Sequence, residues 1–155
     1  MKLDSLLTEL SRRLGVPEAK LNTQGSCALV LDGKTTLHID SIDAGSDEAV
    51  FSAQICTYPD DDSRGPLFEL LMDLHYLGIG TRGGHFSASR ETGRVLFSKR
   101  VDLVPMTIDS LIEAIREFTE VFDGAKAVAD ALLAGALVEE GSGSDAGIPE
   151  ISTRI

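Results

Sequence analysis

The sequence predicts an α+β fold: a single antiparallel β-sheet with three helices, in the order α-β-β-β-α-β-β-α. Three observations carry this expectation. Apolar residues recur at helical spacing in three separate stretches of the 155-residue chain. Short alternating runs lie between them, one pair joined by Asp32-Gly33 at hairpin spacing. The strand-like runs arrive as a block of three and then a pair, the arrangement of an α+β plan.

The first helix is expected over Lys2 to Leu14, where Leu3, Leu6, Leu7, Leu10 and Leu14 form one stripe. Asp4 or Ser5 can cap its start, Arg12 and Arg13 suit the negative end of the helix dipole, and Gly15 can close it before Pro17. Ser26–Leu31 and Lys34–Asp40 then form a hairpin about Asp32-Gly33, whose residues tolerate positive φ. A two-residue turn sets Val30 opposite Thr35, Ala28 opposite Leu37 and Cys27 opposite His38. Ala49–Tyr58 alternates as a third strand, with Phe51, Ala53 and Ile55 on one face and Val50, Cys56 and Tyr58 on the other.

A second helix should begin at Pro66, whose missing N–H costs nothing in a first turn, and carry Leu67, Leu70, Leu71, Leu74 and Leu77 up to Gly78. A glycine-rich loop, 78–84, leads to strands at His85–Arg90 and Arg94–Val101. Thr107 caps the last and longest helix. There Ile108, Leu111, Ile115, Phe118, Phe122, Ala125, Ala129 and Leu132 step by three and four as a core stripe. One domain over 1–138 is expected, followed by an acidic Gly/Ser-rich tail over 139–155 that we expect to be mobile.

Fourteen basic against 25 acidic residues give a net charge of −11. That sign repels phosphate backbones and argues against nucleic acid as a partner. No apolar run has the roughly 18 residues of a membrane span, and the N-terminus lacks a secretory signal pattern. Cys27 and Cys56 are the only cysteines and have no CxxC spacing, so a cytosolic chain without a disulfide framework is expected.

The motifs that could carry chemistry each have a plainer explanation. Gly78-Ile79-Gly80-Thr81-Arg82-Gly83 matches GxGxxG, but a helix precedes it and a strand follows, the reverse of a dinucleotide site; a flexible connection is expected. Asp60, Asp62 and Gly65 occupy positions 1, 3 and 6 of a calcium loop, yet Arg64 and Leu71 stand where oxygen ligands are needed. Cys27 facing His38, with Asp40 nearby, is the most enzyme-like pair, although a mid-strand cysteine usually packs as a small apolar group. His75 and His85 have no partner at metal-ligand spacing. No catalytic, cofactor or metal residues are therefore assigned. Charge is distributed unevenly: seven acidic and no basic residues lie between Asp40 and Asp62, but five basic and one acidic lie between Arg82 and Arg100. Such complementary faces suit docking to a protein partner.

The chain resembles the class I type III secretion chaperones, the Tir-chaperone-like effector chaperones, over roughly residues 1–137. The resemblance rests on Leu6-Leu7 to Leu14-Gly15 with Pro17, the strand Cys27-Ala28-Leu29-Val30-Leu31-Asp32, and the helix Leu67-Phe68-Glu69-Leu70-Leu71 before a glycine loop. It extends to His85-Phe86-Ser87-Ala88 with Arg94-Val95-Leu96-Phe97, leading into the long helix near Leu111. The resemblance implies a homodimer in the cytoplasm of a Gram-negative bacterium. The dimer would hold the N-terminal region of a secreted effector in extended form, with the secretion ATPase as a further partner and no cofactor. It implies client-binding residues at Leu3, Leu7, Leu10 and Leu14 and on the outward face of the sheet, including Leu29 and Leu31. It also implies a dimer interface at Leu67, Leu70, Leu71, Leu74, Leu77, Phe86 and Ala88. The chain departs from the family in having Gly78 and Gly80 where an Asn is common after the second helix. Two other readings stand beside this one: a regulatory module of the same fold that sequesters a control protein, and a small thiol enzyme using Cys27 and His38.

Overall fold

The computed structural model describes residues 3–15, 17–43 and 46–135. The expected tail at 139–155 lies outside the described residues. The elements are α1 (Leu3–Leu14), β1 (Ser26–Leu31), β2 (Thr35–Ser41), β3 (Glu48–Thr57), α2 (Arg64–His75), a 3₁₀ turn (Tyr76–Gly78), β4 (His85–Ser89), β5 (Arg94–Asp102) and α3 (Ile108–Leu133). The predicted order holds throughout. All pairings are antiparallel, and the strands lie side by side as β1-β2-β3-β5-β4.

Local chemistry sets most of the boundaries. Gly15 takes φ +63° and closes α1 in the left-handed conformation that glycine adopts without a Cβ penalty. Thr107 caps α3 by accepting from Ser110 N–H, while the Ser110 hydroxyl accepts from Thr107 N–H, a reciprocal capping box. In contrast, α2 begins at Arg64, two residues before Pro66. Proline is still tolerated there because the first four N–H groups of a helix have no intrahelical acceptor.

The core lies between one face of the sheet and the helices. Phe51 and Phe118 meet edge-to-face with centroids 6.0 Å apart, Phe97 lies 5.0 Å from Phe118, and Phe122 stacks 6.3 Å beyond it. The expected α3 stripe supplies its centre: Leu111, Phe118, Phe122, Ala125 and Ala129 are buried. Leu3, Leu6, Leu7 and Leu10 of α1 and Leu67 and Leu71 of α2 are buried as well.

Three details differ from the sequence-based expectation. Asp32 (φ +50°) and Gly33 (φ +67°) form the expected turn, with Lys34 N–H donating to Leu31 C=O at 3.0 Å. Leu31, however, pairs with Thr35, so Lys34 is an extra loop residue and the register moves by one. A one-residue shift reverses which side chains share a face. Cys27 is therefore opposite Ile39, Ala28 opposite His38 and Leu29 opposite Leu37. Second, an irregularity between Gln54 and Cys56 pairs Cys56 with Val95. Val95 shares the helix-side face with Phe97, so Cys56 lies on the same face as Phe51 and Ala53. Third, α2 ends at His75, and Leu77 adopts φ +55° in the turn beyond it, outside the helical stripe.

The 79–84 loop packs closely on its neighbours. A Cβ on Gly80 would overlap the Leu74 carbonyl, and one on Gly84 would overlap the Phe97 ring. Thr81 is fully buried between them. Backbone bonds from Gly83 N–H to Gly78 C=O and from Gly84 N–H to Thr81 C=O fold the segment onto itself.

Candidate functional site

A groove of about 550 Å³ is bounded by α1, β1 and α3. Leu10, Leu14, Leu29, Leu31, Ile112 and Ile115 supply its apolar lining. Its polar rim is Asp32, Arg116, Thr119, Glu120 and Asp123. Four consecutive residues, Leu29 to Asp32, border it, so β1 offers its backbone edge to the groove as well as one face.

That edge is open. β1 is the terminal strand on its side of the sheet. Ser41 N–H donates to Gly25 C=O, and in an antiparallel ladder alternate residues exchange both bonds with the partner. Cys27, Leu29 and Leu31 thus point their peptide groups toward β2, whereas Ser26, Ala28 and Val30 point theirs away. Asn22 satisfies Ser26: its Oδ1 accepts from Ser26 N–H at 3.0 Å, and its N–H donates to Ser26 C=O at 2.8 Å. Ala28 and Val30 are left with outward donors and acceptors, a template for a further strand.

The expected client-binding residues divide in two. Leu10, Leu14, Leu29 and Leu31 come together in the groove, with Leu14 53% exposed. Leu3 and Leu7 are buried in the chain's own core, Leu7 at 0%. Leu29 and Leu31 face the helices, not outward, as a direct result of the extra loop residue. Sequence reasoning missed Ile112 and Ile115 as groove residues. Ile115 was visible as part of the α3 core stripe and Ile112 lay beside it, but α1 stops short of covering them.

The expected dimer residues cluster at the opposite edge. A second cavity of about 230 Å³ is lined by Phe68, Leu71, Met72, Phe86, Ala88 and Val95, between α2 and β4. Leu67 and Leu71 are buried in the chain's own core, Leu70 and Leu74 are half-buried, and Leu77 is 77% exposed. Met72, Tyr76 and Ile79 are further large side chains exposed near Leu77.

The thiol pairing does not form. Cys27 packs on the helix side while His38 projects from the other face. Burial, with the Asp4 carboxylate adding to it, pushes the Cys27 thiol up, which disfavours the thiolate a nucleophile needs. In the acidic loop, Asp61 accepts from Ser63 N–H at 3.0 Å and from its hydroxyl, bonds that organise the entry to α2 and hold the carboxyl below its ordinary range. Among the described residues no cluster of three or more His, Cys, Asp or Glu could hold a metal ion. No helix among them is long and apolar enough to cross a membrane.

The sequence matches the family described as Tir chaperone protein (CesT) over residues 5–121, well over half the chain. The chain belongs to the Tir chaperone protein (CesT) family. It is thus a chaperone, and the matched span runs from α1 into α3, so it includes every element that lines the groove. The CesT-family fold recurs in solved structures at low identity. The ExsC-ExsE complex aligns with TM-score 0.64 and 17% identity over 83% of this chain and 97% of that one. The HopA1-SchA chaperone-effector complex gives 0.61 and 15% over 79% and 91%. The ExoU-SpcU complex from the type III secretion system of Pseudomonas aeruginosa gives 0.60 and 12% over 84% and 97%. No curated protein matches the chain.

Proposed function

We propose that this CesT-family chaperone binds the N-terminal region of a secreted type III effector in extended form, keeping it soluble and competent for export. The observation that carries this reading is the open Ala28–Val30 edge beside an apolar groove lined by Leu10, Leu14, Leu29, Leu31, Ile112 and Ile115. An extended chain can satisfy its own backbone on such an edge while its alternate side chains enter the groove. Binding of this kind needs no catalytic group and no cofactor.

The chaperone acts as a homodimer in the bacterial cytoplasm and hands its client to the secretion ATPase. Met72, at the α2–β4 cavity, and exposed Tyr76, Leu77 and Ile79 in the turn after α2 supply apolar surface that a second copy would cover. Leu70, Leu74, Phe86 and Ala88 complete that interface, while Leu67 and Leu71 stay in the core beneath it. The chaperone domain extends over 1–138.

The test is co-expression with candidate effectors from the same secretion system, reading co-purification and then export. An effector whose N-terminal segment co-purifies, and whose export falls when the chaperone is deleted, supports the reading. A bound protein that is never exported would assign the chain to sequestering a control protein. Binding by a folded effector domain in place of an extended segment would overturn the proposal.

A further inference from the structure

Resting on the reading of the groove as a client site, the geometry points to the chemistry of what fills it. We infer that the groove takes a strand of about five residues, apolar at alternate positions and carrying Lys or Arg at its ends. Two independent features set the length. Asn22 closes the β1 edge at Ser26 and the Asp32 turn closes it at the other end, leaving a ladder over 27–31. On the other wall, α3 lines the groove from Ile112 to Asp123. At about 1.5 Å per helical residue this is about 16 Å, which an extended chain covers in about five residues at 3.3 Å each.

The rim sets the charge. Arg116 is held by Glu113 at 2.7 Å, and Glu120 is held by Arg82 at 3.0 Å. Asp32 and Asp123 form no ion pair among the described residues, so the groove's two uncommitted charges are both negative. The net charge of −11 adds a field that draws cationic segments in and repels anionic ones. Apolar side chains facing Leu29, Leu31, Ile112 and Ile115 then supply the part of the affinity that salt does not screen.

The probes are blocked synthetic peptides with alternating valine and threonine cores of three, five and seven residues, each flanked by two lysines or by two glutamates. Affinity is read by calorimetry and the site by amide exchange at Ala28 and Val30. The lysine-flanked probes should protect those two amides and gain affinity up to a five-residue core, with no gain at seven. At low salt they should bind about tenfold tighter than the glutamate-flanked set, a preference that shrinks at high salt. Asp32→Asn with Asp123→Asn should reduce the preference to about threefold or less, since only the overall field then remains. Probes that protect Ala28 and Val30 equally whatever their flanking charge would overturn the charge assignment and leave the groove reading standing. Affinity that keeps rising at seven residues would overturn the length. Probes that bind without protecting those amides would overturn the groove reading itself.

Discussion

Replacing Leu14 by Asp separates the groove from the core beneath it. Leu14 is 53% exposed, so about half of its side chain remains to be covered by a client. Covering that half is worth about 1 kcal/mol. Placing a carboxylate there instead adds the cost of desolvating an unpaired polar group, about 1–3 kcal/mol. The sum of about 2–4 kcal/mol corresponds to a Kd higher by about thirty- to a thousandfold. The fold should tolerate the change, because the carboxylate can stay in water when no client is bound. Leu7→Asp is the contrast: Leu7 is fully buried, and a charge there should unfold the protein. The assay is fluorescence anisotropy with a labelled effector N-terminal segment, alongside circular dichroism. A folded Leu14→Asp protein that binds within twofold of wild type would refute the placement of the client over α1.

Leu77→Glu with Ile79→Glu should leave the fold intact, since both side chains are largely in solvent, yet shift sedimentation from about 33 kDa, twice the chain mass, to 16.5 kDa. A dimer that survives would move the interface elsewhere. Gly84→Ala should cost about 2–3 kcal/mol, because its methyl would displace the Phe97 ring from a packed core. A thermal melt should show a loss of about 5–10 °C, and an unchanged midpoint would contradict the packing. Cys27 should react with iodoacetamide more than about tenfold slower than a free peptide thiol at neutral pH, because burial keeps it protonated. Since its folded pKa lies above the unfolded one, this neutral thiol's share of stability is intact at neutral pH. It is lost as pH rises through the raised value. Fast alkylation of the folded protein would refute the burial.

The sequence carried the elements further than it carried their mutual registration. Apolar spacing located all three helices, and the Asp32-Gly33 turn located the hairpin, because these signals are local. The extra residue at Lys34 was not legible, since both registers give plausible cross-strand pairs and only burial of Leu37 and Ile39 under the helices selects one. That single step moved Leu29 and Leu31 to the groove side and separated Cys27 from His38. The α1 stripe was legible as apolar, but not which of its leucines stay uncovered. α3 and the sheet take Leu3 and Leu7 and leave Leu14, an outcome fixed by contacts from residues a hundred positions away. Leu77 followed the heptad-like spacing of α2 but left the helix at a positive φ. The irregularity near Ile55 had no signature in residue type.

The joint at Gly80, Thr81 and Gly84 bears on which partner must adapt. Thr81 is buried and two positions admit no side chain, so the turn after α2 packs directly on the Leu74 carbonyl and the Phe97 ring. The groove on the far side is walled by α3, whose Phe118 and Phe122 belong to the same aromatic core as Phe97. On the proposed reading, a protein packed in this way would serve as a template: the entropy lost on binding would fall on a disordered client segment that the edge orders. Affinity should then depend more on how readily a client segment extends than on any induced change in the chaperone.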